Sequence, residues 1–170
     1  MVAVAHPRIR GAGVVLRPTT PDDLSTARGL FRDPAFYAHW DGEPKDDGEI
    51  VESYLGARSP EVECFFVEVD GEVVGFTQFY AGAEAGRDGG GMDLVLLPAA
   101  RGRGIGRAVV DAMVTHVRGL GWRRFVVDPD VANADGVAFW SRVGFRPVRV
   151  VTGDGDREPY LLMERPLDAR

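Results

Sequence analysis

Over residues 94–107 an apolar run ends at Leu97-Pro98, passes through Ala99-Ala100-Arg101-Gly102-Arg103-Gly104, and enters Ile105-Gly106-Arg107 at the head of a helical repeat. A strand, a glycine turn and a helix in immediate succession constrain the fold more than anything else in the chain. Glycines let the backbone turn its N–H groups inward, and the positive end of the following helix adds to them, so the arrangement suits a pyrophosphate. Arg101, Arg103 and Arg107 place three cations within seven residues. A glycine pattern alone reads equally as a turn that caps a helix, and the three arginines tip the reading toward an anion site. The Gly-Lys-Ser/Thr of a P-loop is missing and no ribose-binding acid follows at the Rossmann distance, so neither of those nucleotide sites fits.

The remaining pattern places this unit in a mixed α/β layer. Residues 13–17 form a β-prone run, and Thr20-Pro21-Asp22-Asp23 starts a helix carrying Leu24, Ala27, Leu30 and Phe31 on one face. Asp33-Pro34 stops it, the aromatic segment Phe36 to Trp40 follows, residues 41–48 read as a loop, and a second helix is expected over 48–58. Two β runs over 62–69 and 73–80, joined at Asp70-Gly71, give the best hairpin signal. Five glycines mark 81–91 as a flexible loop, with a strand over 92–97. A long helix over 104–118, a strand over 124–128, a helix over 134–143 and strands over 145–151 and 160–163 complete the order, the last two joined by Gly153-Asp154-Gly155-Asp156. Helices on a largely antiparallel sheet are expected, not the repeating βαβ of a dinucleotide fold.

With 170 residues, of which 45% are hydrophobic and 27% charged, one soluble domain over 1–170 is expected. Twenty Lys plus Arg against 26 Asp plus Glu leave a net charge of −6, which disfavours nucleic acid and favours a cationic partner. The N-terminus has no basic region before a long apolar stretch and no window approaches a membrane span, so a cytoplasmic protein with no membrane partner is expected. His6, His39, His116 and Cys64 are scattered without metal-ligand spacing, and no metal is expected. Cys64 lies in the apolar run Cys64-Phe65-Phe66-Val67, where a small buried hydrophobe is the simpler reading than a nucleophile.

Arg101-x-x-Gly104-x-Gly106 resembles the acetyl-CoA signature Gln/Arg-x-x-Gly-x-Gly/Ala of the GCN5-related N-acetyltransferase (GNAT) superfamily. Asn133, then Val137-Ala138-Phe139-Trp140 and Val143-Gly144-Phe145, are similar to that superfamily's Asn-containing helix and closing Gly-Phe, and element order agrees over nearly the whole chain. The resemblance implies the GNAT fold: a mixed, mostly antiparallel central sheet of six to seven strands flanked by about four helices. It implies acetyl-CoA as co-substrate, held by Arg101, Gly102, Arg103, Gly104, Ile105, Gly106 and Arg107, with the backbone around Leu96 along the pantetheine arm and Asn133 as a further contact. Three segments resemble the branch of aminoglycoside 6'-N-acetyltransferases and siderophore-type hydroxylysine acyltransferases. They are Tyr37 to Trp40 with Gly42-Glu43-Pro44, Gly75-Phe76-Thr77-Gln78-Phe79-Tyr80, and the pairing of Gly91-Met92-Asp93 with Val127-Asp128-Pro129. In the aminoglycoside enzymes acids at the positions matching Asp93 and Asp128 line the amine site, and Asp128-Pro129-Asp130-Val131-Ala132-Asn133 is the more specific match.

Chemistry agrees with acids there. An aliphatic amine of pKa near 10.4 is only about 0.04% neutral at pH 7, and only the neutral form attacks a thioester, so a site must hold the cation and then take a proton. Asp128 is the expected base and Asp93 the residue that helps hold the amine, both facing the place where their strands diverge. A turn acid before Pro129 and a plain surface acid are the competing readings. Trp40 and Tyr80 can wall the substrate or stack on its cation, although an aromatic after a helix is more often core. One departure is Trp140, which stands where many family members carry the Tyr that protonates the leaving thiolate. An indole N–H is no acid at neutral pH, so water, Ser141 or the amine-derived proton is left for that step.

The expected activity is acetyl transfer from acetyl-CoA to a primary amine of a small cationic, aminoglycoside-like acceptor, in a ternary complex and with the protein as monomer or homodimer. A hydroxylysine-type siderophore precursor or a protein amine is the alternative acceptor. A CoA-binding sensor or partner domain without turnover is the alternative of another class.

Overall fold

Two β-prone runs separated only by Asp70-Gly71 set the centre of the sheet: β3 (Val62–Val69) and β4 (Glu72–Ala81) are consecutive and adjacent. The computed structural model describes residues 7–153 and 155–167; His6 and Asp154 lie outside the described residues. Before the hairpin come β1 (Ile9–Gly11), β2 (Val14–Pro18), α1 (Leu24–Phe31), α2 (Pro34–Tyr37) and α3 (Asp47–Tyr54). After it come β5 (Gly89–Leu96), α4 (Ile105–Gly119), β6 (Arg124–Val127), α5 (Ala134–Arg142), β7 (Arg146–Val151) and β8 (Tyr160–Pro166). The strands form one eight-stranded sheet in the order β1-β2-β3-β4-β5-β6-β8-β7. The pairs β1–β2, β2–β3, β6–β8 and β7–β8 are antiparallel, whereas β5 and β6 are parallel, with Gly89, Gly90 and Gly91 opposite Arg124, Phe125 and Val126.

The mixed, mostly antiparallel α/β fold expected from the sequence is the one observed, with eight strands in place of six to seven and five helices in place of about four among the described residues. The added elements are short. β1 has three residues, too few to show a period, and α2 is one turn whose N-cap Asp33 accepts the Ala35 N–H at 2.9 Å. Residues 89–91, expected in a flexible loop, belong to β5. The reason is close packing: a Cβ on Gly90 would overlap the Tyr80 carbonyl and the Trp122 ring, and one on Gly91 would sit 2.5 Å from the Tyr80 hydroxyl. The absent side chains admit those neighbours, which local sequence does not announce.

The chain packs as two compact units. The first takes the residues up to Phe79 together with Asp93–Met113, and the second takes Tyr80–Met92 and the chain from Val114 onward. In the first, Phe31, Phe36, Trp40, Tyr54 and Phe76 form a ring cluster, Phe31 stacking on Tyr54 at 4.4 Å between centroids. Such aromatic pairs add about 0.5–1.5 kcal/mol each beyond the area they bury. α3 is fixed at its start by a capping box, Asp46 accepting the Glu49 N–H at 2.9 Å and Glu49 reaching back to the Asp46 N–H at 3.3 Å. In the second unit Phe145 packs against Phe125 and Trp140, and Val127 and Met163 are fully buried. No helix among the described residues is long and apolar enough to cross a membrane.

Candidate functional site

At the end of β5 the Leu97 N–H donates to the Val74 carbonyl at 2.8 Å, and Pro98–Ala100 makes a single 3-10 turn. Gly102 and Gly104 follow with φ of 70° and 79°, a region that other residues seldom enter. A Cβ on either would meet nothing within 4 Å, so glycine serves backbone conformation here and not crowding. α4 begins directly after them and runs for fifteen residues, its first turn closing as the Ala108 N–H donates to the Gly104 carbonyl at 3.1 Å. The open turn, the helix N-terminus and three exposed arginines fit a pyrophosphate-bearing co-substrate. Arg101 also braces the turn, its Nε donating to the Leu96 carbonyl at 3.0 Å and its Nη2 to the Ala35 carbonyl at 3.4 Å. Arg103 donates to the Ala99 carbonyl at 3.5 Å.

Asp93 lies in the same unit, half-buried on β5. Its Oδ2 accepts from Gln78 Nε2 at 2.9 Å, and its backbone carbonyl accepts from the Thr77 hydroxyl at 2.7 Å. Gln78 thus orients the Asp93 carboxylate, a contact that reasoning from sequence passed over. Its signal is a Thr-Gln pair inside a strand that otherwise reads Phe76, Phe79, both buried, as are the two polar residues. Cys64 Sγ donates to Gln78 Oε1 at 3.6 Å, and burial pushes its thiol pKa up to about 12, which suits a core residue rather than a nucleophile. Trp40 is buried in the ring cluster and its indole N–H donates to the Tyr54 hydroxyl at 3.0 Å.

Asp128 belongs to the second unit and follows β6. Its Oδ2 accepts from Arg157 Nη2 at 2.6 Å, and the Arg157 guanidinium lies 3.8 Å from the centroid of the Tyr160 ring. The Tyr160 hydroxyl donates to Glu84 Oε1 at 3.2 Å, and Arg149 stands 3.6 Å from the same oxygen. Burial pushes the Asp128 carboxyl pKa above its ordinary value; Arg157 pulls it back, and the negative Glu84 and Asp130 add to the rise. A half-buried carboxylate that binds a cation and keeps its proton more readily than usual can hold an ammonium and accept a proton from it.

In this second unit Tyr80 is half-buried with its ring against Gly91. Asn133 is the N-cap of α5, its Oδ1 accepting the Gly136 N–H at 3.0 Å. Trp140 is a core residue in contact with Phe139 and Phe145, which accounts for an aromatic at a position where no acid is supplied. The exposed Ser141 hydroxyl donates to the Val137 carbonyl of its own helix at 2.9 Å.

The model of the acetyltransferase (GNAT) family matches residues 27–145, well over half of the chain. No curated protein matches the sequence. Among solved structures, the aminoglycoside acetyltransferase AAC(6')-Ib in complex with ribostamycin and coenzyme A has a TM-score of 0.80 at 21% identity, over 91% of this chain and 94% of that one. RimL, a ribosomal L7/L12 alpha-N-protein acetyltransferase in complex with coenzyme A, gives 0.79 at 20% identity, over 96% and 100%. An acetyltransferase from Thermus thermophilus gives 0.76 at 23% identity, over 95% and 100%. Likeness at these identities is likeness of fold.

Proposed function

The chain belongs to the acetyltransferase (GNAT) family, and from that premise we propose that it moves an acetyl group from acetyl-CoA to a primary amine of a small cationic, aminoglycoside-like acceptor. The observation that carries this reading is Asp128: a half-buried carboxylate of raised pKa that already holds a cationic side chain. Similar solved structures contain ribostamycin with coenzyme A, and kanamycin with coenzyme A, in an enzyme named for aminoglycosides.

In this reading Arg101, Arg103 and Arg107, with the N–H groups of Gly102, Gly104, Ile105 and Gly106, hold the pyrophosphate, and Asn133 and the backbone around Leu96 steady the rest of the co-substrate. Acetyl-CoA, when bound, supplies a thioester whose carbonyl carbon bonds to the amine nitrogen as the C–S bond breaks, leaving CoA as the thiol. Asp93, oriented by Gln78, helps to hold the ammonium, with Tyr80 contributing aromatic surface, while Trp40, buried in the ring cluster, supports the core of its own unit. Asp128 takes one proton from the ammonium, which frees the nitrogen lone pair; the second proton, lost as the nitrogen becomes an amide, serves the leaving sulfur. Solvent beside the exposed Ser141 can relay it without a tyrosine.

Free-thiol release from acetyl-CoA with ribostamycin or kanamycin tests the reading. Asp128→Ala should lower kcat/KM by roughly 100-fold, the scale of a general base, and an Arg101/Arg103 double alanine should raise the KM for acetyl-CoA. In the wild type the acidic limb of kcat/KM should lie above the ordinary Asp range. The base works only as carboxylate, and its folded-state pKa is raised, so activity falls as pH drops through that raised value. Release that needs no amine, or that Asp128→Ala leaves intact, contradicts the assignment.

A further inference from the structure

After β6 the chain runs against the segment that precedes β8: the Leu161 N–H donates to the Pro129 carbonyl at 2.8 Å and the Val131 N–H to the Pro159 carbonyl at 3.0 Å. This backbone pairing carries Arg157, two residues ahead of Pro159, to Asp128. The guanidinium is then held by the Asp128 carboxylate and by the face of Tyr160, and Tyr160 is fixed in turn on Glu84. An acid plus an aromatic face is how a ligand ammonium is commonly held. The Arg157 side chain is nonetheless 49% exposed against 26% for Asp128, so the carboxylate needs a cation beside it while the one that supplies it reaches water and can swing away.

We propose that Arg157 is an internal stand-in for the acceptor's ammonium at Asp128, displaced when a cationic acceptor binds, and that it selects acceptors carrying more than one positive charge. The inference rests on reading Asp128 as the acceptor-binding acid. A tethered cation competes at an effective concentration on the order of millimolar, so a monoamine gains little by replacing it. Asp130 and Glu84 both bear on Asp128, and Arg149 beside Glu84 is the other cation of the cluster. An acceptor with two or more amines exchanges for Arg157 and also meets these further acids, whereas a monoamine only exchanges one cation for another.

The test is binding measured calorimetrically on the whole protein, with cyclohexylamine as monoamine and ribostamycin as polyamine. Arg157→Gln should bind cyclohexylamine about ten-fold tighter, the gain on removing a tethered cation that occupies the carboxylate roughly nine-tenths of the time, and ribostamycin by a smaller factor. Arg157→Lys, which keeps the cation, should stay near wild type, and adding Asp128→Asn to Arg157→Gln should remove the gain. Weaker binding in Arg157→Gln, or equal affinity for cyclohexylamine in the two proteins, overturns the inference. Binding is read without turnover, so the two readings fail separately. Tighter binding in Arg157→Gln with no acetyl transfer to any amine removes only the transferase reading, and transfer with affinities indifferent to Arg157 removes only this one.

Discussion

At Cys64 burial removes the reactive form of the thiol. With a pKa of about 12, the thiolate is only on the order of one part in ten thousand at pH 8. A disulfide reagent should therefore leave the native protein untouched and take up one equivalent once denaturant exposes the side chain; fast reaction of the native protein would contradict the packing of β3. The same scale shows how far individual site residues were legible. Asp93 and Asp128 stood out through the resemblance to the aminoglycoside branch, with the need of an ammonium for a nearby carboxylate in agreement. Their partners did not, because Gln78 and Arg157 lie 15 and 29 residues away in sequence and meet them only through strand pairing and a crossing segment. Local pattern carries no trace of the Asp128–Arg157 pair, and for Gln78 the one visible mark was the Thr77-Gln78 interruption of an apolar strand.

Among the elements, α5 shows a residue with two candidate duties. Asn133 caps the helix, and Asn133→Ala should cost about 1 kcal/mol in urea unfolding, while Asn133→Ser keeps a capping oxygen and should restore most of it. If Asn133→Ser also leaves the KM for acetyl-CoA unchanged, the cap is its whole contribution. Helix boundaries were well marked where glycine and periodicity agreed: α4 was expected over 104–118 and spans Ile105–Gly119. The hairpin of β3 and β4 was equally plain from Asp70-Gly71. The start of β5 was not. Glycines signal a loop by their local freedom, and the signal that overrode it, the bulk of Tyr80 and Trp122, is tertiary.

Over the whole molecule, stability depends on places where backbone and ring come closer than a methyl group allows. Gly90→Ala forces the Tyr80 carbonyl and the Trp122 ring apart. Overpacking of this kind should destabilise by about 3 kcal/mol, read as a Tm lower by roughly 10 °C for a chain of this size. An unchanged Tm would mean that β5 is not seated as described. Neither compact unit is one continuous stretch of chain, since the first resumes at Asp93–Met113 after the second has begun at Tyr80–Met92. No gene fragment therefore encodes either unit alone. A single recombination between two related genes, with its join anywhere from 80 to 113, gives both units mixed parentage, and a clean exchange needs three joins. A simple crossover outside that span divides one unit and leaves the other of single parentage, so only the interleaved middle of the chain ties the inheritance of the two together.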